Sequence, residues 1–209
     1  MNQADIIPEN ILQTGENTVI EDGIKTFTVE ALASKLGMSK KTIYKYVPSK
    51  EALLEKICYF IMGKIESQFM KIISRNKNPL VIFSDLMNFI LGQIDRFHIQ
   101  RLSEIKNRYP QIWQKVEEFR LARRDDFCKV FKEAQSEGYI RADLDIEVVA
   151  TVYMNIINST FQPEFFIQNN LAPVDTIRTF LYMITSGMFT KQGRERQEQI
   201  RKGTAANEP

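Results

Sequence analysis

The sequence has few of the residues that metal sites and disulfide frameworks need. Its 209 residues include one histidine and two cysteines, Cys58 and Cys128, and neither cysteine has a second cysteine or a histidine at metal-ligand spacing. Both lie in helical apolar patterns, so we expect buried, reduced thiols; a redox switch is the alternative. The composition therefore excludes a disulfide scaffold and indicates neither a metal site nor a cofactor.

Catalytic motifs are also absent from the sequence. It contains no Gly-rich phosphate loop, no His-Glu-x-x-His and no nucleophile elbow. Adjacent acids such as Glu117-Glu118 and Asp125-Asp126 diverge by about 100° on a helix and indicate a charged surface. We therefore do not expect an enzyme.

Long hydrophobic runs are the third absence. No run of about 18 uncharged apolar residues occurs, and the first residues lack a basic region followed by an apolar stretch. With 44% hydrophobic residues, a chain of this length can still bury a sizeable core. We expect a cytoplasmic protein that does not engage a membrane.

What the sequence does contain is a pair of short capped helices between residues 27 and 53. Thr28 can cap the first helix and Ser39 the second, and Gly37 lies in the turn between them. The second helix is predicted over about residues 39–45, with Ile43 inward and its polar side chains left for solvent or a ligand. This spacing indicates a helix-turn-helix, whose second helix enters the major groove of DNA.

Positive charge is concentrated around this pair of helices. Between Ile24 and Lys50 there are six lysines and one acid, Glu30, so a local charge of about +5 lies within a chain of net charge +2. Neutralisation of phosphates by such a patch supplies most non-specific DNA affinity. The plain alternative is a solvated lysine face.

The N-terminal residues resemble the TetR family of bacterial one-component transcription regulators. The resemblance rests, in the family's spacing, on Ile11-Leu12, Val19, Gly23, Thr28-Val29, Leu32-Ala33, Gly37-Met38-Ser39, Thr42-Ile43-Tyr44 and Pro48-Ser49-Lys50-Glu51-Ala52-Leu53. It implies that DNA is bound by Thr28, Ser39, Lys40, Lys41, Thr42, Tyr44, Lys45, Tyr46 and Lys50. Lys41, Tyr46 and Gly15 depart from the family, which more often has glycine, histidine and alanine at these positions.

The remaining chain is predicted to be helical throughout. Asn78-Pro79, Pro110, Asp145 and Pro173 each begin an amphipathic stretch, and Glu137-Gly138 ends one. We expect an all-α protein of about nine helices, in which an N-terminal three-helix domain is joined by a long helix to a C-terminal helical bundle. The predicted divisions are residues 1–50 for DNA binding, 51–192 for ligand binding and dimerisation, and 193–209 as a flexible tail.

Aromatic residues are concentrated in the larger segment, which holds 13 of the 14 phenylalanines. They can line an apolar cavity for a small molecule, as the resemblance implies, or simply fill the core. The candidate pocket residues are Phe83, Met87, Phe89, Phe97, His98, Trp113, Phe119, Phe127, Tyr153 and Phe161.

The last two predicted helices carry wide apolar faces with small residues. In the resembling family, two such helices per subunit pair across a twofold axis. The alternative is that these faces pack only within the monomer. The candidate dimer residues are Val152, Ile156, Ser159, Ile177, Leu181, Ile184 and Met188.

Together these features predict a sequence-specific transcriptional regulator. The expected form is a homodimeric repressor of TetR type that a small apolar or aromatic ligand releases from a palindromic operator. In this hypothesis the long helix from Ser49 transmits ligand binding to the recognition helix. Activation is possible by the same physics, and the alternative from another class is a structural or occlusion protein that binds DNA without a ligand.

Overall fold

The computed structural model describes residues 7–75 and 78–205 and is helical throughout. No strand occurs in these residues, where the one extended pairing is an isolated bridge between Ile140 and Phe189. The prediction of an all-α protein is confirmed. The twelve helices are α1 (Glu9–Asp22), α2 (Val29–Lys35), α3 (Lys40–Ile43), α4 (Lys50–Arg75), α5 (Pro79–Arg96), α6 (Ile99–Arg108), α7 (Pro110–Leu121), α8 (Arg124–Ser136), α9 (Ile146–Thr160), α10 (Pro163–Gln168), α11 (Pro173–Met188) and α12 (Lys191–Ala205).

Three features raise the helix count above the expected nine. The helix predicted from Pro110 to about residue 136 is divided into α7 and α8 by a short turn at Ala122 and Arg123. α10 follows Gln162, where a proline at the first helical position suits a new helix. α12 forms where a tail was expected.

The chain forms two compact units whose boundary differs from the predicted one at residue 50. The first unit comprises Met1–Ser67 and Gln100–Val116, and the second comprises Gln68–Ile99 and Glu117–Pro209. The boundary falls inside α4, α6 and α7, so three helices belong partly to each unit. The first unit is therefore discontinuous in sequence.

The first unit is built on a core of aliphatic side chains from α1 to α4. Ile11, Leu32, Ile43 and Leu53 are fully buried. An ion pair joins α1 to α4 beside this core: Glu16 Oε2 lies 2.8 Å from Lys64 Nζ, with the Glu16 side chain only 1% exposed. A buried carboxylate requires such a partner, because its desolvation is otherwise costly.

The second unit has an aromatic core. The rings of Phe127 and Tyr153 lie 5.2 Å apart between centroids, and Phe131 packs 5.7 Å from both Phe83 and Tyr153. The Tyr153 hydroxyl is buried and donates a hydrogen bond to the Met87 sulfur at 3.2 Å. Burial raises the pKa of Tyr153, so the hydroxyl stays protonated.

The residues from 191 to 205 form α12, where the sequence predicted a flexible tail over 193–209; residues 206–209 lie outside the described residues. A Cβ on Gly193 would lie 2.2 Å from the Tyr139 carbonyl oxygen, so the start of α12 packs directly on the backbone after α8. Arg194 donates a hydrogen bond to the Phe189 carbonyl (2.6 Å), and Ile200 packs against the core of the second unit. These contacts could not be predicted from the sequence, because the segment is mostly polar and lacks an apolar periodic pattern.

No helix in the described part of the chain is long and apolar enough to cross a membrane. Both cysteines are free thiols, with Cys128 buried and Cys58 half-buried. Burial raises the pKa of the Cys58 thiol to about 11, which keeps it protonated near neutral pH.

Candidate nucleic-acid interface

Two capping side chains fix the turn between α2 and α3. Thr28 Oγ1 accepts a hydrogen bond from Ala31 N, and Ser39 Oγ accepts one from Thr42 N, both at 3.1 Å. Gly37 adopts a φ of 62°, a left-handed conformation that glycine reaches without steric cost. These features agree with the sequence pattern and hold α3 against α2.

The outward face of α3 is polar. α3 itself spans Lys40–Ile43, shorter than the predicted 39–45, because Tyr44 already caps its C-terminus. Ile43 is fully buried and anchors the helix to the core. Around it, Ser39, Lys40, Lys41, Tyr44 and Lys45 are exposed, whereas Thr42 and Tyr46 are half-buried.

Two of the six lysines in this region pair with acids of the same unit. Lys35 Nζ lies 2.9 Å from Asp22 Oδ2, and Lys40 Nζ contacts Glu30 Oε1. Lys40 also lies 5.7 Å from the centroid of the Tyr44 ring. The effective positive charge of the surface is therefore smaller than the count of lysines in the sequence predicts.

Lys50 is the first residue of α4 and directly follows Ser49, which caps this helix. Ser49 Oγ accepts a hydrogen bond from Ala52 N at 3.1 Å, which begins α4 as the sequence predicts. Lys50 is half-buried, with its ammonium group 5.9 Å from the centroid of the Phe27 ring. Its charge is thus held close to the helix-turn-helix.

The ten candidate pocket residues do not all lie in the aromatic core of the second unit. Trp113 belongs to the first unit, and His98 is exposed, so neither lies in the aromatic core. The other eight divide by burial within the second unit: Phe83, Met87, Phe127, Tyr153 and Phe161 are buried, whereas Phe89, Phe97 and Phe119 are half-buried.

A cavity of about 250 Å³, open to solvent, lies instead between α8 and α9. Its lining residues are Arg124, Glu147, Val148, Thr151 and Val152. Hydrogen bonds from Lys132 and Arg124 lower the pKa of Glu147 to about 2, so this carboxylate is ionised at neutral pH. None of the predicted pocket residues lines this cavity.

The predicted dimer residues divide into an inward and an outward set. Ile177, Leu181 and Met188 of α11 are buried in the core of their own subunit, and Ile184 and Ile156 are half-buried. Val152 and Ser159 of α9 are exposed.

The exposed apolar side chains of the same two helices include Val152, a predicted dimer residue, and three that the sequence pattern did not single out. Tyr182 and Met183 of α11 are each 66% exposed, and Val148 and Val152 of α9 are 56% and 48% exposed. Tyr182 and Met183 were overlooked because they lie off the apolar stripe that faces the core. The signal in the sequence was the wide apolar face of α11, which is wider than the stripe that a helix needs to pack against a single core.

The N-terminal region is similar in sequence to a known family of DNA-binding proteins. Residues 11–57 match the sequence model of the bacterial regulatory proteins of the tetR family. These residues therefore form an N-terminal domain of the tetR family type. The match includes α2, α3 and their capping residues, and it makes the chain a DNA-binding transcriptional regulator.

Relatives of the chain extend the likeness over most of its length. The HTH-type transcriptional repressor KstR2 of Mycobacterium tuberculosis is 22% identical over 143 residues, which cover 66% of this chain and 72% of KstR2. A TetR transcription regulator from Haloarcula marismortui has a similar structure, with a TM-score of 0.70 and 18% identity over 87% of this chain and 97% of that one.

A third similar protein carries a ligand. It is a transcriptional regulator from Saccharomonospora viridis in complex with choline, with a TM-score of 0.68 and 16% identity over 88% of this chain and 97% of that one. At such identities the two structural likenesses establish the fold, which is that of TetR-family regulators along both units.

Proposed function

We propose that this protein is a homodimeric repressor that binds a palindromic operator and is released by a small apolar or aromatic ligand. The observation that carries the proposal is the capped helix-turn-helix, in which Ile43 anchors α3 and the exposed Lys41, Tyr44 and Lys45 stand around it. In this arrangement α3 enters the major groove.

Most of the proposed DNA contacts are to phosphate. Lysine and tyrosine side chains beside the groove reach phosphate oxygens, and half or more of protein–DNA hydrogen bonds are of this kind. Lys45, one turn beyond Lys41, is the residue that we assign to a base edge. The other contacts are those predicted from the sequence: Thr28, Ser39, Lys40, Lys41, Thr42, Tyr44, Tyr46 and Lys50.

Dimerisation is proposed through the outward faces of α9 and α11. Val148 and Val152 on α9, with Tyr182 and Met183 on α11, offer apolar side chains that no residue of the second unit buries. Two copies of such a helix pair form a four-helix interface around a twofold axis. A symmetric dimer then reads two half-sites, which supplies the specificity that one short helix lacks.

The ligand is proposed to bind among the aromatic residues of the second unit. The S. viridis regulator of the same fold holds choline, which supports a small-molecule site in such a unit. In our chain the rings around Tyr153 must shift to admit a ligand, since they pack at centroid distances of 5.2 to 6.3 Å. A planar or greasy molecule can replace those ring contacts without leaving polar groups unpaired.

Coupling between ligand and DNA is proposed to follow the three helices shared by the two units. α4, α6 and α7 each continue from residues of one unit into residues of the other. α6 also contacts the helix-turn-helix domain (α1–α3, here called the reading head). Arg101 of α6 donates a hydrogen bond to the Glu21 carbonyl at the end of α1 (2.5 Å). Moving the population from 1:99 to 99:1 requires about 5.5 kcal/mol of differential affinity.

A second candidate function is ligand-independent occlusion of DNA by the same fold. The observation that favours it is the filled aromatic core, in which none of the predicted pocket residues borders the 250 Å³ cavity. The two candidates differ in one measurement. Thermal stabilisation by members of a library of apolar and aromatic compounds supports the repressor with a ligand, and no stabilisation by any of them supports occlusion.

The experiment that tests DNA recognition is selection of bound duplexes from a random pool by the purified protein. Near-physiological salt suppresses the lysine-driven background. An enriched palindrome supports the dimeric regulator, and its position over a promoter supports repression, the activity that KstR2 is named for. Lack of enrichment by folded protein contradicts sequence-specific regulation. We place this activity in the bacterial cytoplasm, where the DNA is.

A further inference from the structure

We propose that Glu30 is an internal counter-charge that restrains the DNA affinity of Lys40. The inference rests on the proposed function, since it assigns a role within the same DNA-binding surface. Glu30 is the one acid among the residues from Ile24 to Lys50, and its carboxylate contacts the Lys40 ammonium group. The acid is thus directed at a lysine that we assign to DNA binding.

The two residues are brought together by the helix-turn-helix itself. Glu30 lies in the first turn of α2 and Lys40 is the first residue of α3. The caps at Thr28 and Ser39 set where each helix begins, so the pair is built into the turn. The hydrogen bond from Lys40 lowers the pKa of Glu30, and the same bond raises the pKa of Lys40, so both are charged at neutral pH.

The pair remains accessible to a polyanion. The side chains of Lys40 and Glu30 are 48% and 61% exposed, so phosphate can approach either of them. An ion pair this exposed is weak, and DNA can compete for the lysine. Binding of a phosphate by Lys40 then leaves Glu30 beside the DNA without its cation, which opposes binding.

This pair reduces the number of phosphates that the surface neutralises. Each phosphate neutralised by a protein cation contributes about 0.9 to the slope of log affinity against log salt. A lysine already neutralised by a carboxylate contributes little to that slope. Lys41 and Lys45 are exposed on the same surface and provide the comparison, because no acid is directed at either of them in the described structure.

The test is Glu30→Gln, which removes the charge and keeps the shape of the side chain. Affinity for the selected operator duplex and for a random duplex of equal length is measured by fluorescence anisotropy over a range of salt concentrations. We expect the variant dimer to bind about 3- to 10-fold more tightly near 0.1 M salt, with a slope steeper by about 1.8. Unchanged affinity and slope would overturn the inference.

Two further variants separate a specific effect from general charge. Glu55→Gln removes one negative charge from an exposed position on α4, and we expect less than about a 2-fold change from it. In a Lys40→Gln background the gain from Glu30→Gln is expected to fall below about 2-fold, because no lysine is left to release. A gain that persists in this background assigns the effect to general charge and overturns the inference.

The outcomes also distinguish the inference from the proposed function. If the wild-type protein binds its operator and Glu30→Gln binds equally, only the role of Glu30 is wrong. If neither protein binds any duplex, although circular dichroism shows both folded, the DNA-binding function and the inference both fail.

Discussion

The Cδ1 atom of Ile57 occupies the place where a side chain on Gly15 would begin. A Cβ built on Gly15 would lie 2.4 Å from this atom, well inside van der Waals contact. The Ile57 side chain of α4 therefore packs directly on the backbone of α1 at Gly15. This contact accounts for glycine in the middle of α1.

Gly15→Ala is expected to destabilise the protein although alanine favours helix formation. The gain in helix propensity is up to about 1 kcal/mol, whereas forcing a methyl group into a filled core costs about 1 to 3 kcal/mol. Urea unfolding gives the change in free energy. Gly63→Ala on α4 is the matched control, since no atom lies within 4 Å of the new Cβ, and it should be neutral or stabilising. Equal stability of both variants contradicts the close contact.

Lys45→Ala is expected to weaken operator binding without unfolding the protein. If Lys45 contacts a base edge, as proposed, affinity falls mainly for the operator and specificity at that base is relaxed. If it contacts a phosphate instead, binding weakens about equally for all sequences and the salt slope falls by about 0.9 for each subunit. Lys71→Ala, an exposed site on α4, controls for general charge. Tyr44→Phe removes one hydroxyl donor and should also weaken binding. If both Lys45→Ala and Tyr44→Phe bind as tightly as the wild type, α3 is not the recognition helix.

Tyr182→Glu is expected to convert the proposed dimer into a monomer. The side chain is 66% exposed in the subunit, so the change does not disturb the core, but it places a charge in the apolar interface. Sedimentation at micromolar concentration measures the mass. Met70→Glu, at a site on α4 that is 46% exposed, should leave the dimer intact. A wild-type monomer would remove the symmetric-operator argument altogether.

The ion-pair cluster of Glu147 predicts a loss of stability in acid. Hydrogen bonds from Lys132 and then Arg124 lower the folded-state pKa of Glu147 to about 2 from the usual 4.5. A carboxyl group with a lowered pKa stabilises the fold above its unfolded pKa, and this contribution disappears as the pH falls from about 4.5 to about 2. Thermal unfolding across this range should show a smaller acid-induced decrease in melting temperature for Glu147→Gln. An identical pH profile for wild type and variant excludes the coupling.

Helix positions were predictable from local signals. Thr28, Ser39, Asn78 and Asp145 each cap a helix through a side-chain oxygen, as their positions before an apolar periodic stretch predict. Such signals are local, so one sequence contains them. α12 was missed because its anchor is a contact between Gly193 and the Tyr139 backbone, far apart in the chain.

The residues of the candidate DNA-binding surface could be predicted from the sequence, but the ion pairs that its lysines form could not. The reading head and its exposed lysines follow from spacing, but the pairing of Lys35 with Asp22 and of Lys40 with Glu30 depends on how α1, α2 and α3 cross. The same limit applies to Trp113, which its aromatic character placed with the pocket although it belongs to the first unit. The type of a residue indicates whether its side chain is buried, whereas the residues that it contacts depend on how the helices are arranged in the fold.

The discontinuity of the first unit constrains how a reading head can be exchanged between regulators. Ile112 of α7 borders the same small crevice as Cys58, Tyr59 and Met62 of α4. A fragment that ends at residue 67 would leave this side of α4 facing water. A chimera that transfers a new operator specificity therefore needs both segments of the first unit, residues 1–67 and 100–116. A single crossover within α4 would separate these two segments, which pack together.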